Sequence, residues 1–146
     1  ASDVYKRQTY VFDNWQTANL RLDKLPFPAV VNVLPVSGRF NMGKNQLRDY
    51  PNMLIAFLDK TDFDFDGEDN DLIVEKCKNL AREFILRANE SRLFEYIEGD
   101  IYYSVVYDKL DVNVTGVVIE LTPKEINGIG LCYGKDIKEI IYGRKG

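Results

Sequence analysis

The chain has 146 residues, 45% hydrophobic and 29% charged, with a formal net charge of −4. That fits one ordinary domain able to bury a core without staples. It has no histidine, which removes Ser-His-Asp and Cys-His nucleophilic triads, two-His metal sites and imidazole acid–base chemistry. Two cysteines, Cys77 and Cys132, cannot complete a four-cysteine zinc site. The acidic balance argues against a general nucleic-acid binder, and no apolar run of about 18 residues is present to span a membrane.

In chain order, Ala1–Gln8 reads ASDVYKRQ. Back-translated, Ser2–Gln8 resembles the mosaic-end adapter that transposase-based library preparation attaches to DNA. Residues 1–8 are therefore expected to be adapter-derived and are set apart from fold reasoning, with the natural N-terminus missing. Thr9–Trp15 is aromatic-rich and reads as a strand. Asn14–Lys24 is mixed, and Pro26 and Pro28 interrupt the chain after it. Ala29–Leu34 is β-branched and bounded by prolines, and predicts a strand. Val36–Asn52, polar and holding Gly38, Gly43 and Pro51, reads as a long loop. Met53–Leu58 is a continuous apolar run suited to a buried central strand.

Asp59–Asp71 carries seven acidic residues and reads as a loop. Asn70–Asn89 predicts an amphipathic helix, with Ile73, Cys77, Leu80, Phe84 and Ala88 on one stripe. Asp69, Asn70 or Asp71 can cap its start, and Arg82 and Arg87 suit the dipole towards its end. Ile101–Tyr107 and Val112–Leu121 predict two strands of an antiparallel hairpin. Asp136–Tyr142 is helix or strand, with no assignment between them.

The fold class expected is α+β: a mostly antiparallel sheet of four to five strands with one amphipathic helix, about 70–89, on one face. The other face is left for solvent, for an N-terminal helix missing before Thr9, or for a partner. The organisation expected is one domain over 9–132 and a C-terminal tail over 133–146.

Three motifs bear on chemistry. Gly38-Arg39-Phe40-Asn41-Met42-Gly43-Lys44-Asn45 is one residue from a phosphate-binding loop, which needs clustered backbone N–H groups, a lysine and a hydroxyl. Asn45 replaces the hydroxyl residue, and Pro51 forbids a long helix after the loop. A small phosphate- or ligand-binding module on Gly38–Asn45 is therefore the alternative reading. Asp62-Phe63-Asp64-Phe65-Asp66-Gly67 begins like a calcium loop, but its twelfth position is Ile73 rather than an acid. Acids confined to that one loop do not read as a two-metal nuclease. No catalytic, cofactor-binding or metal-ligating residue is assigned, and no cofactor is expected. Arg39, Phe40, Lys44 and Arg48 are the candidate partner-contact residues, because long polar loops in compact domains often carry function.

The runs VFDNW, LPFPAVVNVLPVSGRF, LIAFLDKTDFDF, AREFILRANES and YSVVYDKLDVNVTGVVIEL lie between Val11 and Leu121. They resemble a family of small prophage proteins of gut bacteria, and the element order is similar to that of phage tail-completion and tail-terminator (head–tail connector) proteins. The resemblance implies a non-enzymatic virion component that forms a ring with itself and contacts other virion proteins. It would be found in the virion, or in the host cytoplasm during assembly. It also implies a helix before Thr9 and a Val36–Asn52 segment that touches a neighbour. It implies neither membrane contact nor sequence-specific nucleic-acid binding. The stretch GKDIKEIIYGRKG after Tyr133 departs from the resemblance.

Overall fold

A computed structural model of the protein describes residues 8–61, 67–109, 113–126 and 129–143. Along them run β1 (Thr9–Asp13), α1 (Trp15–Leu22), β2 (Ala29–Gly43), β3 (Gln46–Lys60), α2 (Gly67–Ser91), β4 (Tyr103–Lys109), β5 (Val114–Leu121) and α3 (Tyr133–Tyr142). The fold is α+β. One five-stranded sheet has the order β1-β2-β3-β5-β4, with every neighbouring pair antiparallel except β1–β2. Apart from Gln8, the adapter-like stretch lies outside the described residues, and so do Asp62–Asp66 of the calcium-loop resemblance.

The parallel β1–β2 pair requires a crossover, since a tight turn joins only antiparallel strands. Helix α1 supplies it. Asn14, in extended conformation, caps the helix by accepting a hydrogen bond from the Thr17 backbone N–H at 2.8 Å. The helix buries Ala18 and Leu22, one turn apart. Two buried positions in eight residues make too short a stripe to stand out in the sequence.

Both faces of the sheet are covered. On one, Val30, Ile55, Phe57, Val117 and Ile119 pack against the predicted stripe of α2 and against Ile137, Ile140 and Ile141 of α3. The Phe57 and Phe84 rings meet tilted at 60°, with centroids 5.5 Å apart. On the other face, Val11, Ala29, Val31, Ala56 and Leu58 pack under Ala18 and Leu22, joined by Trp15, Leu25 and Phe27. Two helices thus add to the one expected. Helix α1 and the turn after it lie where a missing segment or a partner was expected. The segment from Tyr133 to Tyr142 is helical too and contributes three isoleucines to the larger core.

A correction concerns Val36–Asn52. It is not a loop but the outer half of a long β2–β3 hairpin. Pairing runs from Ser37↔Asn52 to Gly43↔Gln46, after a register shift between Val33 and Ser37. Lys44 and Asn45 form the turn, with Asn45 at φ 64, a left-handed conformation that asparagine tolerates. Gly38 faces Pro51, and a Cβ on Gly38 would come within 2.7 Å of the Pro51 Cα. The glycine is therefore required by close strand approach, not by a loop. Asp49 directs its N–H and C=O away from β2, towards Glu125. By strand alternation Pro51 faces the same way, so its missing N–H removes no bond from the hairpin ladder.

Candidate functional site: the hairpin arm

The outer hairpin has an anchored base and a bare tip. At the base, Asp49 accepts from the Glu125 N–H at 3.0 Å, and its own N–H donates to Glu125 Oε1 at 3.1 Å. The Tyr133 hydroxyl, in the first turn of α3, donates to the Asp49 carboxylate. Burial, then that bond and the nearby carboxylates, push the Tyr133 phenol up to about 12, so it stays a donor at neutral pH. Arg48 forms an ion pair with Glu95 and donates to Gln46 Oε1 from Nε at 3.1 Å and Nη2 at 2.7 Å. The Arg39 guanidinium and the Lys124 ammonium lie 5.0 and 5.6 Å from the Tyr50 ring centre.

Beyond these anchors, large apolar side chains stand in solvent: Phe40 is 76% exposed, Met42 74% and Leu47 55%. The register sets Met42 opposite Leu47 and Phe40 two pairs further in, so all three share one face of the ribbon. Arg39 and Asn41 project from the opposite face, and Lys44 sits exposed in the turn. The arm is thus an apolar blade with a cationic back and tip.

One edge of the blade is also open. β1 pairs with β2 only over Ala29–Val33, and among the described residues no strand pairs with the outer edge of Ser37–Gly43. Because Asp49 points its polar groups away from β2, its partner Phe40 points its own groups away from β3, as do Gly38 and Met42. Such an edge invites a further strand.

Of the four residues singled out in the sequence, Arg39, Phe40 and Lys44 lie exposed on the arm, while Arg48 turns inward to Glu95. Met42 and Leu47 were missed. Their signal is the alternation Phe40-Asn41-Met42, which carries meaning only once the segment is a strand. The same geometry bears on the phosphate-loop resemblance. Gly38–Gly43 is extended, so successive N–H groups point to opposite sides rather than converging on one anion.

Cys77 is fully buried on α2, and burial, with Asp59 nearby, pushes its thiol up to about 12, which leaves it a packing residue. No described helix is long and apolar enough to cross a membrane. Comparison with known protein families, curated proteins and solved structures returns no match.

Proposed function

We propose that the protein is a non-enzymatic virion assembly component of the tail-completion or head–tail-connector type, and that its β2–β3 arm grips a second copy of the chain in a ring. The observation that carries the reading is the arm itself. Three large apolar side chains project into solvent on a ribbon whose base is fastened by Asp49, Arg48 and Tyr133. Contiguous exposed apolar surface of this kind marks an interaction site. A stiff base holds the blade ready, so little ordering entropy is lost on docking.

Two measurements test it. In the variant carrying Phe40→Ser, Met42→Ser and Lys44→Ala, rings seen by electron microscopy should disappear while the thermal midpoint stays put. Rings identical to those of the unmutated chain would overturn the arm assignment. Arg48 and Arg39 are left out of the variant because they brace the base, against Glu95 and the Tyr50 ring. Long-read sequencing of the encoding DNA should show portal, capsid or tail-tube reading frames beside this one. Metabolic neighbours would overturn the virion reading.

A further inference from the structure

The arm lies at one end of the molecule, and a surface of opposite character lies at the other. β3 begins at the arm turn and runs 15 residues to Lys60, roughly 50 Å at about 3.4 Å per residue. The start of α2 is tied to that far end, where Lys76 Nζ meets Asp59 Oδ2 at 2.6 Å. Beyond the other end of α2, Glu95 reaches back to Arg48 at the arm base. The first turn of α2 is therefore distal to the arm. There Leu72 stands 74% exposed beside exposed Glu68 and Asp71. Half-exposed Tyr107 of the edge strand β4 has its hydroxyl 3.5 Å from Asp71 Oδ1.

Charge has the same polarity. Among the described residues, Asp59 at the far end is paired with Lys76 while Glu68 and Asp71 stand exposed on the first turn of α2, whereas Ser37–Asn52 holds Arg39, Lys44 and Arg48 against Asp49 alone. We infer that the arm of one copy docks on the α2 start of the next, with Phe40, Met42 and Leu47 against Leu72 and Tyr107, and with Lys44 of the turn facing Glu68 and Asp71. This deepens, and rests on, the reading of the arm as a contact between copies.

A competing acceptor is the apolar cleft of about 190 Å³ between α2 and the β4–β5 strands, lined by Ala81, Ile85, Ile101 and Tyr103 together with Lys78 and Arg82. Its two cations, which share Glu75, give Lys44 of the arm turn no unpaired acid to meet, whereas the α2 start offers Glu68 and Asp71.

The contact is heterologous: arm and acceptor are different surfaces at opposite ends of one chain. Such contacts propagate head to tail and close only as rings. An arm of seven residue pairs is about 24 Å long, so its face falls short of the roughly 800 Å² per partner of a stable pair. Pairwise association is accordingly weak and salt-sensitive, and ring closure supplies the avidity.

Two full-length variants decide the matter. The arm variant carries Phe40→Asp and Met42→Asp. The acceptor variant carries Glu68→Lys, Asp71→Lys and Leu72→Ser, and Leu72→Glu alone serves if that triple change unfolds the helix. Sedimentation velocity at about 0.02 M salt should show self-association of the unmutated chain, weakened at least tenfold at about 0.5 M. Each variant alone should be monomeric. At about 1 mM each in low salt, where a single weak contact is populated without ring closure, their equimolar mixture should give a heterodimer and nothing larger, because the mixture holds one working arm and one working acceptor per pair. If the acceptor variant associates like the unmutated chain while the arm variant does not, the acceptor is wrong and the arm reading stands. If the arm variant associates like the unmutated chain, both fall. Two folded monomeric variants that fail to pair with each other would overturn head-to-tail docking in favour of arm-to-arm contact. An unmutated chain that stays monomeric at about 1 mM in low salt overturns the proposal outright.

Discussion

Asn32 sits in the middle of β2 with none of its surface exposed. A buried amide is tolerated there because its Nδ2 donates to the Tyr10 hydroxyl at 3.0 Å and to the Tyr133 carbonyl at 3.1 Å. Tyr10 in turn donates to the Gly134 carbonyl at 3.0 Å. One side chain thereby joins β1, β2 and the first turn of α3. Asn32→Ala should lower the unfolding free energy by about 1–3 kcal/mol, since it strips partners from buried groups. The check is a lower urea midpoint at unchanged slope. The same cluster sets the alkaline limit. Burial raises the Tyr10 phenol from 10.0 to about 12, against a smaller lowering by the Asn32 bond, and Tyr133 also stands at about 12. The folded state thus holds these protons more tightly than the unfolded chain. Their contribution is complete below about pH 10 and is lost as pH rises towards about 12. Urea midpoints measured across that window should fall, and the fall should be shallower in Tyr10→Phe.

Among the elements, legibility in the sequence tracked how local the signal was. The strand around Met53–Leu58 and the helix around Asn70–Asn89 were readable because each displays its own hydrophobic pattern. The outer hairpin was not. Gly38 and Pro51 look like breakers until they are seen facing one another across the ladder, a fact about pairing and not about either residue. The same gap hid half the site, since Met42 and Leu47 become a surface only through the register. Helix α3 went unassigned although Ile137, Ile140 and Ile141 keep helical spacing, because three apolar positions in about one turn are too short a pattern to decide. Gly38→Ala tests the pairing explanation. A methyl placed 2.7 Å from the Pro51 Cα must push the strands apart, at a cost of about 1–3 kcal/mol. Amide exchange should quicken over Ser37–Asn52 and stay unchanged in α2. Unchanged exchange throughout would show that the glycine serves no such role.

At the level of the whole molecule, two apolar layers share one sheet, and the layer under α2 and α3 is closed by the C-terminal helix. Ile137, Ile140 and Ile141 are each at least 97% buried. At about 1.5–3 kcal/mol per buried side chain, they account for roughly 5–9 kcal/mol of gross burial, comparable with the roughly 5–15 kcal/mol net stability of an ordinary domain. A chain ending at Leu131 should therefore lose its cooperative thermal transition and bind a hydrophobic dye. A sharp transition in that truncation would show that α3 merely decorates the core.

Tyr10 and Gly134, joined by a hydrogen bond, are 124 residues apart in the chain, and a Cβ on Gly134 would strike the Phe12 ring at 2.3 Å. A strand is thus seated by a helix made more than a hundred residues after it. On the ribosome β1 can pair early with β2, but it cannot acquire its final neighbours until more than a hundred further residues, through Gly134, have been made. Contacts so distant in sequence slow the search for the native state, and the arm's apolar blade is exposed throughout that wait. The long separation of these partners therefore leaves the folding chain most vulnerable to premature association at the surface proposed to build the assembly.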